Sequence, residues 1–107
     1  ATAINGTGPA LIAHFVKALE DAANFIGESR ALARESVLQT ILGTVEMIGS
    51  SDRHVADLID SVTSPGGTTS RALHVLQQGR FAATLTEAID AAYQRSVEMG
   101  DKIDRTT

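Results

Sequence analysis

The sequence predicts an all-α chain, a bundle of about five helices of which two or three are long. Apolar residues recur at spacings of three and four through nearly every stretch, and no segment alternates with period two over a useful length. The breaks between periodic stretches fall at Gly27, Gly49, Gly66-Gly67 and Gly79, where helices stop most readily.

Pro9 suits the first helical position behind Thr7-Gly8. From there Leu11, Ile12, Phe15, Val16, Leu19, Ala22, Ala23 and Ile26 predict a first helix that Gly27 closes. Ser29 is a natural cap for a second helix, in which Leu32, Ala33, Val37, Leu38, Ile41, Leu42, Val45 and Ile48 lead to Gly49. Gly43 inside it costs about 1 kcal/mol against alanine, which predicts a close approach by another helix there. A short third helix is expected from His54 to Ser61, and a fourth from Thr69 to Gln78 with Leu73 and Leu76 inward. A fifth follows from Ala82 to Gly100, and Asp101 to Thr107 read as a frayed polar tail. No linker or internal repeat interrupts the chain, so residues 1–107 read as a single helical domain.

Three Phe and one Tyr are thin for a self-sufficient core. The apolar faces of the second and fifth helices are also wider than one bundle needs. Together these predict an intimate, isologous homodimer with helices interleaved between subunits, against the alternative of a monomeric five-helix bundle. A net charge of −4 without a basic cluster argues against nucleic acid. No apolar run approaches the roughly 18 residues of a membrane span. The absence of cysteine excludes disulfides and thiolate metal sites and is in keeping with the cytoplasm.

One stretch reads as a site rather than as helix: Val62-Thr63-Ser64-Pro65-Gly66-Gly67-Thr68-Thr69. Pro65 restricts its own φ and that of Ser64, while the paired glycines permit positive φ and bring no Cβ between a ligand and the backbone. Thr68 or Thr69 then falls at the N-cap of the fourth helix, so unpaired amides and the positive end of the helix dipole face the loop. That outlines an anion site. On turn chemistry alone, the plainer alternative is a helix-to-helix turn with a threonine cap.

This loop, with Ala72-Leu73, Leu76-Gln77, Gly79, Phe81, Ala88-Ile89, Ala91-Ala92 and Arg95-Ser96 after it, resembles the C-terminal domain of pyrroline-5-carboxylate reductases. Thr2-Ala3-Ile4-Asn5-Gly6-Thr7-Gly8-Pro9-Ala10 is similar to the segment where that family's nucleotide domain passes into its helical domain. Departures are Asn5 and Thr7 for serines, Leu11 for a tyrosine and Val55 for a proline. The resemblance implies a dimerisation domain and reduction of the cyclic imine 1-pyrroline-5-carboxylate to proline by NADPH or NADH. It implies that Ser64, Pro65, Gly66, Gly67, Thr68 and Thr69 bind substrate, with the Thr69 hydroxyl at the imine nitrogen. It also implies that the Asn5-Gly6-Thr7 turn lies near the nicotinamide. No Gly-x-Gly-x-x-Gly turn after a strand is present, so the dinucleotide is expected to bind mainly on an N-terminal Rossmann domain outside this chain, and the chain alone to be inactive.

His14, His54 and His74 stand far apart in sequence, without the spacing of a metal site, and Asp52, Asp57 and Asp60 read as helix-start and solvent-face charge. Two other functions remain open at this level. A non-catalytic dimerisation module would not need the Pro-Gly-Gly-Thr-Thr loop. A related dehydrogenase would show a catalytic lysine, whereas Lys17 and Lys102 both lie far from the loop in sequence.

Overall fold

The computed structural model describes the backbone of residues 2–63 and 67–106 and the side chains of residues 4–63 and 67–100. Five helices follow one another: α1 (Thr2–Phe25), α2 (Arg30–Gly49), α3 (Val55–Val62), α4 (Thr68–Gln78) and α5 (Phe81–Thr106). Among the described residues there is no strand.

Both ends of the helical set differ from the sequence expectation. α1 does not begin at Pro9 but runs through it, with Asn5, Gly6 and Thr7 in its first turns. Proline there removes one ladder donor, a local loss of about 3 kcal/mol that packing can offset. Residues Ala1–Leu11 belong to the same compact unit as Ser70–Thr107, so neighbouring helices hold this segment in place. α5 likewise passes Gly100 and continues to Thr106. An isolated glycine costs only about 1 kcal/mol in a helix, and no proline follows it here.

The turns show why the other boundaries hold. After Phe25 the chain closes α1 in a Schellman arrangement: Gly27 N–H donates to the Asn24 carbonyl (3.1 Å) and Glu28 N–H to the Ala23 carbonyl (3.1 Å). Gly27 takes φ 114°, which a side chain would strain. Ser29 then caps α2, its Oγ accepting from Leu32 N–H at 3.2 Å. α4 ends differently. Its left-handed residue is Arg80, at φ 57°, rather than Gly79. Arg80 N–H donates to the Gln77 carbonyl (3.0 Å), and the Arg80 carbonyl accepts from Thr84 N–H (2.8 Å), so one residue closes α4 and opens α5.

The chain divides into two compact units, Ala1–Leu11 with Ser70–Thr107, and Ile12–Thr69. In the second, the buried residues are Ala33 and Val37 of α2 and Leu58 of α3. α2 is apolar on more than this one side. At 100° per residue Ala33, Val37, Ile41 and Ile48 form one stripe and Leu38, Leu42 and Val45 an adjoining one. The second stripe stays in solvent, with Leu42 64% and Val45 61% exposed. In the first unit, Leu11, Leu73, Ile89 and Ala92 are half-buried, and Leu76, expected inward, is exposed. All four aromatic residues, Phe15, Phe25, Phe81 and Tyr93, are exposed. Gly43 does not meet the expected close helix within the subunit: a Cβ built there finds nothing within 4 Å.

Candidate functional site

α3 delivers the chain to the candidate loop. His54 takes an extended backbone (φ −63°, ψ 144°), and its Nδ1 accepts from Ala56 N–H at 3.3 Å, capping the helix. Asp57 lies in the first turn, where a carboxylate complements the helix dipole. This cap was missed in the sequence, although the position before an apolar run with Asp57 three residues on is a helix-start pattern. At the far end, Thr63 N–H donates to the Asp60 carbonyl (3.3 Å) and the Thr63 hydroxyl to the Ile59 carbonyl (2.7 Å). The Thr63 hydroxyl is thus turned back onto α3.

Ser64, Pro65 and Gly66 lie outside the described residues. The chain re-enters at Gly67 with φ 89°, the positive angle that the paired glycines permit. A Cβ placed there meets nothing within 4 Å, so the demand for glycine is torsional rather than steric. Neither Thr68 nor Thr69 is the cap. Both are helical, the first two residues of α4, with Thr68 exposed and Thr69 half-buried. The reason is Gly67, whose left-handed backbone turns the chain one residue earlier than a threonine cap requires. The first N–H groups of α4 have no acceptor within the helix, so a pair of hydroxyls and a set of amides free of the helix ladder occur at one helix start. Such a set can hold a carboxylate and offer one hydroxyl to a neighbouring polar atom.

The other predicted contact set, Asn5, Gly6 and Thr7, is helical rather than a turn; Asn5 and Gly6 are exposed and Thr7 is half-buried. It belongs to the Ala1–Leu11 and Ser70–Thr107 unit, whereas Gly67 to Thr69 belong to the Ile12–Thr69 unit. His14 and His74 are exposed on α1 and α4, and among the described residues no three His, Asp or Glu side chains converge as metal ligands. Among the described residues no helix is long and apolar enough to cross a membrane.

Known proteins resemble this chain in sequence and fold. The family model for pyrroline-5-carboxylate reductase dimerisation matches residues 1–99. Pyrroline-5-carboxylate reductase from Synechocystis sp. is 45% identical over 101 residues, which cover 94% of this chain and 38% of the relative. The Arabidopsis thaliana reductase is 43% identical over 98 residues, or 92% and 36% of the two chains. A crystal structure of Plasmodium falciparum pyrroline carboxylate reductase with NADP bound superposes with a TM-score of 0.87 at 45% identity, covering 90% of this chain and 37% of that one. The chain therefore spans a little over a third of the length of these relatives. With a family model matched over nearly all its length and a five-helix fold in common, this chain belongs to the pyrroline-5-carboxylate reductase dimerisation family.

Proposed function

We propose that the chain is the self-associating, substrate-receiving part of an NAD(P)H-dependent reductase that converts 1-pyrroline-5-carboxylate to proline in the cytoplasm, working as a homodimer. The observation that carries this reading is Gly67 at φ 89° set directly before Thr68-Thr69 at the start of α4. In this reading the amides of Gly67, Thr68 and Thr69 hold the substrate carboxylate, where the dipole of α4 favours negative charge. The Thr69 hydroxyl meets the imine nitrogen, and Ser64, Pro65 and Gly66 are the remaining substrate-binding residues of this proposal. The nicotinamide cofactor supplies the hydride when bound. Among the described residues no strand offers a dinucleotide turn, so the cofactor is held mainly by residues outside this chain, with Asn5, Gly6 and Thr7 near its nicotinamide end.

The division of labour is chemical. A carboxylate anchored at two or more amides fixes the ring, and one hydroxyl at the nitrogen then stabilises the charge that shifts there during reduction. In a complete reductase carrying this domain, Thr69→Ala is expected to lower kcat/KM by the equivalent of about 2 to 3 kcal/mol, as for loss of one preorganised donor. Gly67→Val, which forces a branched residue into positive φ, abolishes substrate binding while the helices persist. Wild-type kcat and KM in Thr69→Ala would return this threonine to a purely structural role. The isolated chain is expected to show no reductase activity and no heat of NADPH binding by calorimetry; saturable binding would overturn the assignment of the cofactor site.

A further inference from the structure

We infer that Thr63 is a positioning residue for the substrate loop, its hydroxyl fixing where the chain leaves α3. This role rests on the function proposed above, in which Ser64 to Thr69 receive the substrate. In a continuing α-helix the Thr63 N–H would donate to the Ile59 carbonyl, four residues back. Here it donates instead to the Asp60 carbonyl at 3.3 Å, and the Thr63 hydroxyl takes the Ile59 carbonyl at 2.7 Å. A threonine inside a helix makes this side-chain bond in addition to the ladder, whereas at Thr63 it stands in for a ladder bond. One residue thus satisfies two of the carbonyls that a helix end leaves without a ladder donor.

The backbone of Thr63 is extended, at φ −84° and ψ 109°, so the chain leaves the helix at this residue. The turn it grips is the anchored one. Ile59 follows Leu58, the buried residue of α3, and the Ser61 hydroxyl donates to the Leu58 carbonyl at 2.7 Å. Pro65 disfavours helix at Ser64 but does not choose the direction of exit. Residues 64–66 then lead to Gly67, itself set at φ 89°. Over so short a span the exit from α3 decides where the loop can stand. Without the hydroxyl, the Thr63 amide is free to return to the Ile59 carbonyl and lengthen α3 by one residue, which moves the exit about 1.5 Å along the axis and about 100° around it. Molecules in that state cannot hold the substrate, which raises KM by the fraction lost, while those that do bind it react at the native rate.

The test is steady-state kinetics with 1-pyrroline-5-carboxylate in a complete reductase carrying this domain. Thr63→Val keeps the branched side chain and removes the donor. Its KM is expected to rise about fivefold, the worth of one hydrogen bond, with kcat unchanged, and Thr63→Ser to restore the native KM. A native KM in Thr63→Val, with or without a lower melting temperature, overturns the proposal, as does a Thr63→Ser as impaired as Thr63→Val. Thr69→Ala, measured beside them, separates the two readings. If it is impaired while Thr63→Val is native, the positioning role alone fails; if Thr69→Ala is native, the loop is not the substrate site and the positioning role falls with it. Should Thr63→Val not fold, Thr63→Ala takes its place, and failure of both to fold overturns the proposal, because the hydroxyl then serves the fold and not the loop.

Discussion

Asp21 on α1 and Arg30, the first residue of α2, form an ion pair that spans the Gly27–Ser29 turn. Lys17 holds the other carboxylate oxygen at 2.8 Å. First the hydrogen bond from Lys17 and then that from Arg30 lower the Asp21 pKa from 3.8 to about 2. A carboxyl depressed in the folded chain contributes stability above its unfolded pKa and loses it as pH falls through the folded one. The stability difference between the native chain and Asp21→Asn is therefore expected to hold down to about pH 4 and to be mostly lost by about pH 2. Urea denaturation at pH 7, 4 and 2 measures it. Because both cations are largely exposed, the difference at pH 7 should also shrink in molar salt.

Two of the positive-φ turn residues, Gly27 and Arg80, should respond in opposite directions. Gly27→Ala puts a side chain at φ 114° and is expected to cost about 1 to 2 kcal/mol, all of it torsional, since nothing lies within 4 Å. Arg80→Gly relieves the same strain at φ 57° and loses only the exposed ion pair with Glu87, worth about 0 to 1 kcal/mol. A net gain of up to about 1 kcal/mol is expected in thermal or denaturant unfolding; a loss would mean that Arg80 is held by more than its backbone role.

Self-association should depend on the uncovered stripe of α2. Leu42→Glu places a charge among Leu38, Leu42 and Val45, all exposed in the single subunit. Sedimentation is expected to show the native chain as a dimer whose melting temperature rises with concentration, and the variant as a monomer or an unfolded chain. A variant that remained a dimer would move the interface off α2.

Gly43 on the same helix separates two explanations for a glycine in mid-helix. Within the subunit there is room for a methyl group, so Gly43→Ala is expected to stabilise α2 by about 1 kcal/mol through helix propensity. Destabilisation of the dimer, measured as a lower midpoint at fixed concentration, would instead put a partner's backbone against this glycine.

The sequence by itself determined what depends on local chemistry. Helical periodicity and stop residues marked all five helices, because side-chain spacing along a helix is a property of the chain alone. Ser29 declared its cap, and Gly27 its turn, since each needs only its immediate neighbours. The family was legible in the loop and the residues after it. Only the tertiary structure decided where local signals compete with packing. Pro9 reads as a first residue, yet α1 extends past it within a unit shared with α4 and α5. Gly79 reads as the left-handed stop, yet Arg80 takes that conformation because its carbonyl also opens α5. Thr68 and Thr69 read as caps, yet the positive φ at Gly67 draws them into α4 and changes which groups the helix start presents. In each case a preference worth about 1 to 3 kcal/mol yields to contacts between segments distant in sequence or to the geometry of an adjoining turn, and spacing along the chain does not record either.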